Sequence, residues 1–189
     1  NTLLHLACQY GFSNIVRLLI DHHAEQTQNI AGDTSAHLAI KQGHLQCLTQ
    51  LNPSNLNLQN KNGDTPLHIF ASEGRTEFLP FLLDPKLGHN LEEIAGIENN
   101  KGETFLEILI QNHNDSSLIQ ILEKHPTLLT PKLGVLAAKY SNRPLIEYIK
   151  RTDPKIFIQE HKGRYASHVA LKLQKIQAVK LIFDSVPKE

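Results

Sequence analysis

With 189 residues, 40% of them hydrophobic, the chain can bury a substantial core as one large or two small domains. Its formal net charge of zero argues against a nucleic-acid binder that relies on an overall basic field. Only two cysteines and no apolar run of membrane-spanning length argue against a disulfide framework and an inserted helix. The charge is nonetheless uneven: residues 1–131 hold 7 Lys/Arg and 14 Asp/Glu, whereas 132–189 hold 12 and 5. Such a pattern is either surface drift or something a partner reads.

The first element is Thr2-Leu3-Leu4-His5-Leu6-Ala7, a capped helix start whose run is closed by Gly11. Ile15, Val16, Leu18 and Leu19 follow at amphipathic spacing, with Arg17 directed outward. Gly32-Asp33-Thr34-Ser35-Ala36-His37-Leu38-Ala39 repeats the first start and closes at Gly43, and Cys47, Leu48 and Leu51 mark its second helix. The clearest copy is Asn62-Gly63-Asp64-Thr65-Pro66-Leu67-His68. Here Asn-Gly is a tight turn, Thr65 an N-cap, Pro66 the first helical residue and Gly74 the stop. Its second helix carries Phe78, Leu79, Phe81 and Leu82, and Pro80 removes one backbone bond and bends it.

From Leu82 to Gly102 is 20 residues, against 13 from Leu19 to Gly32, which places an insertion near 84–95. Leu91, Ile94 and Ala95 are spaced for one extra helical turn, and the insertion is either a tolerated loop or a binding element. A weaker fourth copy starts at Gly102-Glu103-Thr104 and a fifth at Thr130-Pro131, which lacks Asn/Gly turn chemistry before it. The sixth reads Gly163-Arg164-Tyr165-Ala166-Ser167-His168. The column His5, His37, His68, Glu107, Val135, His168 recurs at 32, 31, 39, 28 and 33 residues.

That period, with Thr-Pro-Leu-His behind a glycine turn, resembles the ankyrin repeat family over essentially the whole chain. The resemblance implies an all-α solenoid of stacked helix-turn-helix units with short β-hairpin tips. The expected units are approximately 1–31, 32–62, 63–101, 102–129, 130–162 and 163–189, forming a single repeat domain. One such unit cannot bury enough apolar surface alone, so the copies must stack. The Asn-, Ile-, Leu-, Lys- and Gln-rich wording also looks like the degenerate ankyrin arrays that intracellular bacterial pathogens secrete into host cells. With no Met at residue 1 and no polar cap over Leu3, Leu6, Ile15 and Leu18, further structure is expected upstream.

The chemistry-bearing residues point away from catalysis. His5, His37, His68 and His168 recur at the repeat period, which suits a structural imidazole and not one catalytic constellation. His5-x-x-Cys8 and His44-x-x-Cys47 have ligand types at helical spacing but lie in apolar faces, and neither cysteine has a basic cluster to activate it. The turn glycines belong to no phosphate-binding motif. No catalytic residue, metal ligand or cofactor is expected within this segment.

Function is therefore expected at positions the core does not require. The resemblance implies tip positions Ile30, Ala31 and Asp33, then Lys61, Asn62 and Asp64, then Asn100, Lys101 and Glu103, and finally His161, Lys162 and Arg164. It adds first-helix positions Tyr10, Lys41 and Gln42, Ser72 and Glu73, Gln111, and Lys139 and Tyr140, followed by Lys172. Ile30 is an apolar side chain at a tip, and Tyr10 and Tyr140 are of a type enriched in binding hot spots. The expectation is a monomeric array in an intracellular reducing compartment that binds a protein, not nucleic acid or membrane. The alternative is a targeting domain for an enzyme whose catalytic part lies outside this segment.

Overall fold

A computed structural model of the chain describes residues 1–84 and 91–184. The chain forms two compact units, Asn1–Ile108 and Leu109–Glu189, each a stack of antiparallel helix pairs. In the first unit the pairs are α1 (Leu3–Tyr10) with α2 (Ser13–Asp21), α3 (Ser35–Gln42) with α4 (Leu45–Leu48), and α5 (Pro66–Glu73) with α6 (Leu79–Leu82). α7 (Leu91–Ala95) is the extra turn expected in the insertion, and it buries Leu91, Ile94 and Ala95. Residues 85–90 of that insertion lie outside the described residues. The boundary between units falls within α8 (Phe105–Gln111). In the second unit α9 (Asp115–Lys124) is followed by α10 (Pro131–Tyr140) with α11 (Arg143–Thr152), and α12 (Ala166–Lys172) with α13 (Ile176–Phe183).

First helices stack on first helices: α1 on α3, α3 on α5, and in the second unit α10 on α12. Their cores are small and branched residues, among them Ala39, Ile40, Leu67, Phe70 and Ala71, then Ala137, Ala138, Ala166 and Ala170. Alanine lets neighbouring helices approach, and Leu48, Phe78, Leu118, Ile121, Ile146 and Ile149 are buried in the second layer.

A single closing device joins the two helices of each pair. The chain turns left-handed for one residue, and the next amide reaches back over the helix end. The bonds are Phe12 N–H to Ala7 O at 2.9 Å, His44 to Ala39 at 2.8 Å and Arg75 to Phe70 at 3.2 Å. They continue with Asn114 to Leu109, Asn142 to Ala137 and Lys175 to Ala170, all 2.9 Å. Glycine provides the left-handed residue in the first three (Gly11, Gly43, Gly74). His113, Ser141 and Gln174 adopt it at φ 54–55° in the others. The weak fourth and fifth copies thus keep the turn that their sequences obscure.

The second helix of the α5 pair is a 3-10 turn at Thr76–Phe78 followed by only four α-helical residues. Pro80 stands at the second residue of α6, in the first turn where its missing N–H costs no helix bond, and α4 is just as short without a proline. Pro144, at the start of α11, leaves that helix at full length. The tips differ from paired β-hairpins. Among the described residues the one β-type pairing is an isolated bridge between His161 and Arg164. The reason lies in where the tip amides go, which is described next.

Candidate protein-binding surface

Each tip of the first unit is built on one asparagine. Asn29 Oδ1 accepts the amides of Ala31 and Asp33, both at 2.9 Å. Asn60 does the same for Asn62 and Asp64 at 2.9 and 3.1 Å, and Asn99 for Lys101 and Glu103 at 3.0 and 3.1 Å. The asparagine backbone amide still pairs across the tip, to Asp33, Asp64 or Glu103 O at 2.9 Å, but the returning amide that would complete the strand pair is taken by the side chain, so the tips close as turns. The asparagine Nδ2 then ties each tip to the one before: Asn60 to Asp33 Oδ1 at 2.8 Å and Asn99 to Asp64 Oδ1 at 3.0 Å. Backbone bonds follow the same course, from Lys61 N–H to Ala31 O at 3.0 Å and Asn100 N–H to Asn62 O at 3.1 Å. The third tip keeps this register although its repeat is longer, so the insertion is absorbed without displacing the tip.

Three histidines join tips to helices. Thr34 N–H donates to His37 Nδ1 at 3.1 Å, so Nδ1 is the unprotonated nitrogen and accepts Thr34 O–H at 2.8 Å as well. Nε2 therefore carries the proton and donates to Asp64 O of the next tip at 2.8 Å. His68 repeats this with Thr65 and Glu103 O, at 2.8 and 2.9 Å. His5 repeats it with Thr2 and Asp33 O, at 2.8 and 3.0 Å. All three rings are buried, and burial lowers their pKa below the usual histidine value despite the carbonyl each donates to. Glu107 holds the same column buried, with Thr104 O–H donating to it at 3.3 Å.

His168 departs from the structural expectation shared by the four. It is exposed and meets Tyr165 edge-on at 5.1 Å. The physical reason is that Tyr165 occupies the N-cap in place of threonine, so no aliphatic hydroxyl is present to take the ring.

In the first unit five of the expected site residues are brought together. Ala31, Asp33, Lys41, Lys61 and Asn62 line a cavity of about 350 Å³ together with Asn60, His37, Leu38 and Ile69. Ile30 stands 85% exposed beside it. Gln42, Ser72, Glu73, Asn100 and Lys101 are exposed, and Tyr10 is exposed with its ring stacked at 6.1 Å on Phe12. Asp33, Asp64 and Glu103 also carry scaffold duties, since their carbonyls receive the histidines. Ile69 was missed in the sequence because its helical position looks like core, yet it is only half-buried.

In the second unit Lys139, His161, Lys162 and Arg164 line a cavity of about 290 Å³ with Lys132, Val135, Leu136 and Val169. Lys139 and Arg164 also border one of about 280 Å³ with His168, Lys172 and Leu173. The Lys139 ammonium lies 4.8 Å over the Tyr140 ring. Gln111 is half-exposed at the end of α8. Val135, Leu136, Val169 and Leu173 were missed. For Val135, Leu136 and Val169 the signal was a three- or four-residue spacing from Lys132, Lys139 or Lys172, and Leu173 lies four residues beyond Val169.

Among the described residues no group of three or more His, Cys, Asp or Glu could hold a metal ion, and no helix is long and apolar enough to cross a membrane. Cys8 and Cys47 are both buried as free thiols, and burial pushes Cys8 up to about 12, far from a reactive thiolate.

Helix pairs closed by one recurring turn, with tips laddered by asparagine and histidine, define an all-α repeat fold of the helix-turn-helix type. A sequence profile described as ankyrin repeats (three copies) matches residues 1–52 and 37–128. The chain belongs to the ankyrin repeat family. It is 27% identical to human Rabankyrin-5 over 128 residues, 66% of this chain. It is 31% identical to mouse Rabankyrin-5 over 129 residues, 63% of this chain. With the Nuclear factor NF-kappa-B p110 subunit of Drosophila melanogaster it shares 26% over 179 residues, 72% of this chain. The chain spans 10% to 18% of the length of these curated relatives. They are animal proteins and do not bear on the likeness to arrays secreted by intracellular bacteria. Ankyrin repeats are in general protein-protein interaction modules and typically non-catalytic.

Proposed function

We propose that the chain binds a partner protein through its tips and the exposed side of its first helices, as the recognition part of a longer protein. The observation that carries this is the face formed by Ala31, Lys41, Lys61 and Asn62. It is a polar-rimmed cavity next to the exposed Ile30, held in shape by the hydrogen bonds that Asn60, His37 and the Ala31 carbonyl make within the scaffold. An apolar side chain ringed by polar ones is the usual make-up of a recognition patch. Two buried free thiols support a reducing compartment as its place of work.

The test is the triple variant Ile30→Ala, Lys61→Ala, Lys101→Ala in a pulldown from the native cell. Loss of partner capture with an unchanged melting temperature supports the assignment. Equal capture by the variant removes the tips from the site. The alternative, a targeting domain for an attached enzyme, is decided by the intact reading frame.

A further inference from the structure

In the second unit the cavities on the α9 and α11 side are lined by both signs of charge, Glu123, Glu147 and Asp153 with Lys150 and Arg151. On that side Asp115 accepts Asn142 Nδ2 at 2.6 Å, Glu147 pairs with Arg143 at 2.8 Å, and Asp153 accepts the Lys155 amide at 3.2 Å. On the opposite side, formed by α10, α12 and the tip at 161–164, the two cavities are lined by Lys139, Lys162, Arg164 and Lys172 and by no carboxylate. Glu160 is the nearest acid along the chain, next to the tip, and it lines neither cavity. Val169 is shared by the two cavities, and Leu173, 45% exposed, lines one of them. The corresponding cavity of the first unit carries Asp33 alongside Lys41 and Lys61, whereas here the nearest carboxylate is Glu160, 3.8 Å from where a Cβ on Gly163 would stand.

We infer that this face of the second unit takes an acidic protein segment that presents an apolar side chain between carboxylates. The inference rests on the protein-binding reading above and names the chemistry of its partner. Lys139, Arg164 and Lys172 supply positive charge around an apolar floor of Val135, Val169 and Leu173, a complement to a segment with carboxylates flanking one leucine- or phenylalanine-sized group. Nucleic acid fits less well. No aromatic ring lines the two cavities, apart from the imidazoles of His161 and His168, to stack on bases.

A random-peptide phage library panned on the full chain tests this, with synthetic fluorescein-labelled copies of the enriched peptides measured by anisotropy. The expected peptides carry Asp or Glu on both sides of a large apolar residue, and they weaken as salt rises from about 50 to about 500 mM. Arg164→Glu with Lys172→Glu weakens them at least about ten-fold while the melting temperature holds, since both side chains are exposed. Lys150→Glu with Lys155→Glu, on the α11 side, leaves binding unchanged. Peptides without net negative charge, or binding indifferent to Arg164 and Lys172, overturn the inference. So does an oligonucleotide of equal charge that binds as tightly and is lost in the same variant. If the selected peptides are neutral but depend on Ile30, Lys61 and Lys101, only this inference falls. If none depends on any tip, the protein-binding reading falls with it.

Discussion

Replacing His37 with alanine separates the scaffold reading from every other use of these imidazoles. The ring makes three hydrogen bonds, to Thr34 N, Thr34 Oγ1 and Asp64 O, at 2.8–3.1 Å. Each contributes about 1 kcal/mol net, so the loss comes to about 3 kcal/mol, and the buried Thr34 amide and hydroxyl left behind keep it from being smaller. For a chain of this size that lowers the melting midpoint by about 6–12 °C. His37→Gln should lie between the two, because a glutamine at that position reaches back to the N-cap amide but not also forward to Asp64. The matched control is His168→Ala, which removes an exposed ring touching only Tyr165 and should shift the midpoint by no more than about 2 °C. Thermal unfolding of the full chain, followed by circular dichroism, reads all three. Equal destabilisation by His37→Ala and His168→Ala would refute the bridge as the reason for the histidine column.

The same rings make stability depend on pH. Their folded pKa values lie below the ordinary 6.5, so under that pH the unfolded chain takes up protons that the folded chain refuses. Stability is full above neutrality and falls as pH drops through 6.5 toward the folded values. Melting scans between pH 7.5 and 5 should show a slope that His37→Gln reduces. Gly63→Ala and Gly74→Ala should differ in cost. Both positions have positive φ, but a Cβ on Gly63 meets the Asn100 amide and side chain at 2.5 Å, whereas one on Gly74 meets nothing within 4 Å. Urea titration should give about 1 kcal/mol for Gly74→Ala and about 2–4 for Gly63→Ala. Cys8 and Cys47, exposed by 0% and 1%, should resist a thiol reagent in the native protein and react in urea; prompt native labelling would contradict their burial.

Much of the scaffold is legible in the sequence because its signals are local. Thr65, Pro66 and Gly74 announce a cap, a first turn and a stop, and they occupy those places. The failure at His168 was also written locally, in the tyrosine at its cap. What depends on neighbouring copies was not legible. Asn29, Asn60 and Asn99 read as turn formers, but their Nδ2 bonds to the preceding tip exist only once the tips are stacked. The left-handed stops at His113, Ser141 and Gln174 were hidden because no glycine marks them. The binding face was partly legible: tip positions follow from the repeat pattern, while Ile69, Val169 and Leu173 look like core until their exposure is seen.

The central claim is that the repeating residues hold the scaffold while tip and first-helix residues meet a partner protein. Site-specific photocrosslinking in the native cell tests it most directly, with a benzophenone side chain placed at Lys61 or Lys101 on the tips and at Lys150 on α11. The account predicts a discrete protein adduct from the tip positions and none from Lys150. Adducts from Lys150 alone, or no protein adduct from either tip, would contradict it.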